Sequence, residues 1–279
     1  NFEREGLGKI LCDIVGLKNR ATNLSEWKAF VKKTHNGGRE VKIAVVGKYF
    51  DSGDFVLSDA YISVIEAIKF SAYAVGVKPI LTWLDSKEFE TKKRKITELS
   101  QYDGIVVPGG FGTNGVEGII MTVKYAREKK IPFLGLCYGM QWMVVEFARN
   151  VAGLRGSNTH EVNPDAKHVV IDIMPDQKEK LAKRDFGGSM RLGTYPAYLK
   201  QGTIAREAYG AELVDERHRH RYEVNPAYIE KLEKKGLVFS GVSPSKKLME
   251  IAELPRAKHP FMLGTQFPPA LQARPLSPH

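Results

Sequence analysis

Residues 131–147 read IPFLGLCYGMQWMVVEF: an apolar run, one cysteine between Gly135 and Gly139, and then more apolar sequence. The first run has the length of a buried strand, and a helix is expected from about Tyr138. A parallel strand that ends in G-x-C-x-G and passes straight into a helix resembles a nucleophile elbow, a tight turn that pushes one side chain out at the carboxyl end of a sheet. Glycines are needed on both sides because the turn brings backbones too close for a Cβ atom. In that place Cys137 stands at a helix N-terminus, where the dipole and free N–H groups favour the thiolate and lower the pKa from its usual value of about 8.5. The same residues also fit a buried, inert cysteine, the commoner fate of a lone thiol.

The strand, turn and helix rhythm continues outward from this stretch. VKIAVVG (41–47), PILTWL (79–84) and GIVVPGG (104–110) read as further strands. A helix capped by Ser58 puts Ile62, Ile65, Ile68, Ala72 and Val75 on one face before Gly76 stops it, and another spans residues 119–129. The alternation predicts an α/β fold: a mainly parallel central sheet with helices on both faces and Cys137 at the carboxyl end of a strand. Beyond about residue 165, HVVIDIM, LVFSGV, LMEIAEL and FMLGTQF are strand candidates, with a helix near 227–235; these extend the sheet or form a small antiparallel layer. Upstream, Asn23-Leu24-Ser25 caps a short helix carrying Trp27, Phe30 and Val31, and the two glycines of KKTHNGGRE end it. Residues 1–40 therefore read as a lead-in and linker, and residues 41–279 as the domain.

With 279 residues, 43% hydrophobic and 27% charged, the chain can bury one full core. No apolar stretch approaches a membrane span and the first residues lack a secretory order, so a soluble, cytoplasmic protein with no membrane partner is expected. Cys12 and Cys137 are the two cysteines, which excludes a disulfide framework or a zinc cluster, and no metal site is expected. The net charge of +10 raises nucleic acid as a partner. However, the basic residues are spread out and lack the interleaved aromatics of a base-stacking groove, so they read as solvated surface.

A second glycine turn, PGGFG at 108–112, also follows an apolar strand, and neighbouring parallel strands place their carboxyl-end loops side by side. Backbone N–H groups of Gly110 and Tyr138 could then converge on a developing negative oxygen. A phosphate cradle is the rival reading, but the Lys and Ser/Thr of a P-loop are missing.

VPGGFG, PFLGLCYGMQ, MRLG (190–193), ERHRHRYEVNP (216–226) and HPFMLGTQF (259–267) together resemble the glutaminase half of CTP synthases, a class I glutamine amidotransferase domain. The resemblance runs over nearly the whole chain, residues 1–40 looking like the end of a synthetase half and the interdomain linker. It implies that Cys137 attacks the side-chain amide of glutamine through a thioester, with Gly110 and Tyr138 as oxyanion donors. It makes Gly110, Tyr138, Gly139, Met140, Gln141, Glu161 and Arg221 the glutamine-holding positions. The chemistry of the last two suits this: Arg221 can fork an α-carboxylate and Glu161 can receive an α-ammonium. The family passes the freed ammonia to an ATP-dependent synthetase half that converts UTP to CTP. ATP, Mg and UTP belong to that half, no cofactor is expected here, GTP is an effector of the family, and the full-length proteins are expected to be homotetramers.

Two catalytic positions depart from the family. Where it has Q-F-H-P-E, supplying the histidine base and its orienting glutamate, this chain has Gln266-Phe267-Pro268-Pro269-Ala270. Pro268 carries no proton and Ala270 orients nothing. His160, beside Glu161, is the one histidine in an unusual place near the pocket and is the candidate surrogate base. Loss of a triad histidine costs on the order of a million-fold in turnover in another nucleophilic enzyme. Hydrolysis is therefore expected to be crippled, and the alternative is a glutamine-binding or scaffold module of an ammonia-dependent synthetase. TNG at 113–115 also lacks the arginine that the family associates with GTP activation.

Overall fold

The computed structural model describes residues 2, 4–18, 23–35, 38–48, 61–173 and 190–279. The Ser58 cap lies outside them. Helices α1 (Leu7–Ile14) and α2 (Ser25–His35) lead in; α1 buries none of its residues. The expected cap of α2 is present, with the Asn23 side chain accepting the Ser25 N–H. Phe30 of α2 meets Phe70 and Tyr73 edge-on, both on a later helix, so the lead-in touches the domain.

Strands β1 (Glu40–Gly47), β2 (Lys78–Asp85), β3 (Gly104–Val107) and β4 (Phe133–Leu136) are all parallel. Between them run α3 (Ile62–Ala74), α4 (Ser86–Glu90) and α5 (Val116–Lys129), and α6 (Tyr138–Asn150) follows β4. Because alternate strand residues face opposite sides, Val106 and Leu136 pack on Val64 of α3. Val107, Ile105 and Phe133 join Ile119, Val123, Met143 and Phe147 on the other face. The parallel strands thus have helices on both sides, which is why they are apolar along their length.

Further along are β5 (Ser157–Thr159), β6 (His168–Ile173), β7 (Arg191–Leu199), α7 (Ile204–Tyr209), β8 (Leu213–His220), β9 (Tyr222–Val224), α8 (Pro226–Glu233), β10 (Val238–Val242), β11 (Met249–Glu253) and β12 (Met262–Thr265). Among the described residues the large sheet has nine strands in the order β2-β1-β3-β4-β12-β11-β10-β7-β8. The last strand in sequence, β12, enters parallel beside β4, and from there the ladder turns antiparallel. The sheet is therefore mixed, its parallel half carrying the cysteine turn. Strands β5, β6 and β9 form a separate three-stranded sheet; it is mixed rather than antiparallel as expected, β5 running parallel to β6 and β9 antiparallel to it. The long β7–β8 hairpin was not expected. In LVDERHRH the alternation sets buried Glu216, His218 and His220 against exposed Arg217 and Arg219, so charge masks a strand period.

Candidate active site

Cys137 caps α6 with φ 51 and ψ −99. A non-glycine residue in so sparsely populated a region costs about 1–3 kcal/mol and persists only where its surroundings over-determine it. Three glycines supply the surroundings. An added Cβ on Gly139 would lie 2.2 Å from Val107 O, on Gly135 2.7 Å from Gly139 C, and on Gly264 2.8 Å from Met140 Cβ. The Cys137 N–H donates to Thr265 O at 2.6 Å. The turn is wedged among β3, β4 and β12, so Gly139 and Met140 are committed to packing.

The 108–112 loop stands beside it. A Cβ on Gly109 would lie 3.9 Å from Cys137 Cβ, and one on Gly110 would touch the Tyr138 ring at 3.4 Å. Lys48, at the end of β1, pins this loop from behind: Nζ donates to Phe111 O at 3.2 Å, Gly112 O at 2.6 Å and the Tyr138 hydroxyl at 2.7 Å. The Tyr138 hydroxyl also donates to Gly112 O. Burial pushes the Lys48 ammonium down to about 8, against the attraction of Glu161 and Glu90. Glu161 holds the other side of the loop, accepting the Gly112 N–H at 2.8 Å. Lys48 was missed in the sequence; its signal was its place at the carboxyl end of a parallel strand, where α/β proteins build their sites.

The sulfur itself corrects an expectation. Part of Cys137 stays accessible to solvent, yet protein crowds the sulfur and burial pushes the thiol up to about 12. The Tyr138 N–H and the Gln266 amide pull it down, and Glu223 and Glu161 push it further up. Desolvation outweighs the helix dipole, so the thiol is pushed up where the helix N-terminus was expected to lower it. Besides Tyr138 N–H, the hydrogen-bond partners of Sγ among the described residues are Gln266 Nε2 at 3.7 Å and Arg219 O at 4.0 Å.

No imidazole joins them. His160 pairs through Nδ1 with Asp172 Oδ1 at 2.9 Å and stacks on Tyr222. His218 and His220 bond each other at 2.8 Å in a buried cluster with Arg191, Glu223 and Glu250. Burial and the Arg191 charge push them down to about 2 and about 3. His259 Nε2 lies 3.0 Å from Ala126 O, a structural contact.

Pro268 precedes a short 3-10 turn, Pro269–Leu271. Ala270 is buried against Val64, Val106 and Leu136, and it lines an apolar groove of about 370 Å³ with Ile43, Ala67 and Leu134. Position 270 thus packs on hydrocarbon, and Ser71 and His279 are polar residues lining the same groove. Of the remaining predicted residues, Gln141 is buried, its Nε2 donating to Tyr222 O at 3.2 Å and Gln266 Oε1 at 3.4 Å. Arg221, half-buried between β8 and β9, bonds Tyr222, while its Nε is buried without a hydrogen-bond partner. Among the described residues no group of three or more His, Cys, Asp or Glu is placed to hold a metal ion, and no helix is long and apolar enough to cross a membrane.

A family model described as glutamine amidotransferase class-I matches residues 56–279. The chain is 46% identical over 278 residues to a CTP synthase of Halalkalibacterium halodurans, covering 100% of this chain and 50% of that protein. It is 48% identical over 284 residues to a CTP synthase of Methanocaldococcus jannaschii, covering 100% of this chain and 51% of that protein. The chain thus spans about half the length of the curated relatives it matches. Among solved structures, the glutaminase domain of Trypanosoma brucei CTPS with bound acivicin superposes with a TM-score of 0.77 at 36% identity, covering 85% of this chain and 89% of that one.

Proposed function

This chain belongs to the class I glutamine amidotransferases, as the glutaminase domain of a CTP synthase, and from that premise we propose that it binds glutamine at Cys137 but hydrolyses it very poorly. Arg221 takes the α-carboxylate, Glu161 the α-ammonium, and the N–H groups of Gly110 and Tyr138 the amide oxygen as it becomes an oxyanion. Glutamine's ammonium would compete with the Gly112 N–H for Glu161, which couples substrate binding to the loop that carries Gly110. In a complete enzyme the freed ammonia would serve an ATP-dependent synthetase domain that aminates UTP.

The observation that carries the reading is a fully framed sulfur with no imidazole among its partners. Without a proton acceptor the thiol, raised to about 12, is scarcely ionised at neutral pH. Without a proton donor the leaving nitrogen departs as amide anion rather than ammonia, which is prohibitive.

The test is ammonia release from glutamine by this chain beside Pro268→His and the Pro268→His, Ala270→Glu double variant. The expected result is near-background release from the chain and a rise of roughly 10²-fold or more in a variant, the usual contribution of a positioned acid-base group. Release from the unaltered chain at a rate like that of an intact relative would overturn the reading. A second reading, a glutamine-binding or scaffold module for a synthetase using free ammonia, is favoured by the packing of Ala270 against Val64, Val106 and Leu136, an apolar setting for a glutamate. Continued silence of both variants with normal folding and retained glutamine binding supports it.

A further inference from the structure

Resting on the glutaminase-site reading above, we propose that Gln266 is the residue that aims and polarises the Cys137 sulfur in this chain, an amide standing where no imidazole reaches. Gln266 follows β12 directly and is fully buried. Its backbone is held on both sides: the preceding carbonyl of Thr265 accepts the Cys137 N–H at 2.6 Å, and its own N–H donates to Glu250 O at 2.7 Å. The sense of its side-chain amide is fixed as well. Gln141 Nε2 spends one hydrogen on Tyr222 O at 3.2 Å and points the other at Gln266 Oε1, 3.4 Å away. Since that oxygen is the acceptor, the Gln266 NH₂ is the end that faces Sγ at 3.7 Å.

The sulfur lies between opposed influences. Arg219 O, an acceptor at 4.0 Å, favours the S–H form, as do the charges of Glu223 and Glu161. The Gln266 and Tyr138 N–H donors favour the anion. A donor to an ionised acceptor is worth more than one to a neutral partner, so the amide contributes chiefly when sulfur is charged. But a carboxamide has no basic lone pair: it can support bond formation at sulfur and cannot carry a proton to a leaving nitrogen. The chain thus retains a device for covalent capture without one for turnover.

The probe is iodoacetamide, followed at Cys137 by peptide mass spectrometry so that Cys12 does not contribute. The thiol loses its proton to buffer, sulfur attacks the methylene carbon, the S–C bond forms and iodide leaves. Rates are compared between pH 7.5 and 10 for the chain, Gln266→Met, which keeps the length of the side chain without its donor, and Gln141→Leu, which leaves Gln266 in place but frees its amide to turn. Gln266→Met is expected to react about tenfold more slowly across the range, the worth of one hydrogen bond to a charged group, and Gln141→Leu by a smaller factor in the same direction. Unchanged or faster alkylation in Gln266→Met overturns the proposal. Glutamine protection separates this from failure of the site reading. If added glutamine slows alkylation while Gln266→Met matches the unaltered chain, the amide has no such role and the site reading stands. If glutamine never protects but Gln266→Met slows, Gln266 acts on the sulfur and the glutamine site is what fails.

Discussion

At the Cys137 turn, a methyl group added to Gly139 would stand 2.2 Å from Val107 O. Just past β12, Pro268 and Ala270 stand where the family resemblance expects the proton-handling pair; Pro268 is half-buried and Ala270 settles among Val64, Val106 and Leu136. The first region is determined by contacts between backbones, which any side chain would break. The second carries function in side chains that project from a frame already complete. Packing therefore protects the geometry of the Cys137 turn far more strongly than the proton-handling side chains that a sulfur nucleophile would need.

Three variants test this contrast. Gly139→Ala is expected to lower stability by about 3 kcal/mol, at the upper end of overpacking costs, because the clash is with backbone that cannot rotate away. A urea midpoint close to that of the unaltered chain would show that the elbow is less tightly wedged than its distances imply. The next effect concerns the buried polar cluster behind β12, where His218 meets Phe267 edge-on. Burial holds His218 at about 2 and His220 at about 3, against about 6.5 in an unfolded chain. Depressed values mean that the unfolded state takes up protons first, so their contribution is present above about pH 6.5 and drains as pH falls toward 3, by about 1.4 kcal/mol per pH unit for each histidine. Glu250, whose pKa burial raises, offsets part of this. Denaturant midpoints between pH 7 and 5 should therefore fall, and a variant with His218→Gln and His220→Gln should flatten that slope; equal slopes would mean the pair is not buried neutral. The smallest effect is expected at Pro268→Ala, under about 1 kcal/mol, because that position holds no contact on which the frame depends.

The parallel half of the fold was legible because its strands are buried on both faces and read as apolar runs punctuated by glycine. GLCYG and PGGFG located the turn and the loop for the same reason: backbones that approach closely exclude every other residue type. Less legible was what side chains do at long range. Glu216, His218 and His220 are buried although their sequence looks like surface, since partners of the two histidines, Arg191 and Glu250 among them, come from other strands. The acidity of Cys137 was misjudged likewise. A helix N-terminus is a local feature, whereas the burial and the carboxylates of Glu223 and Glu161 that outweigh it arrive only with the tertiary structure.

Among the described residues the Cys137 sulfur is held as a thiol with no imidazole to take its proton. The pH–rate profile of Cys137 alkylation in the unaltered chain tests this. With the thiol at about 12, the logarithm of the rate should climb by about one unit per pH unit from 7 through 10 without levelling. A plateau reached below pH 8 would mean that the sulfur is already ionised at neutral pH, and the claim would be wrong.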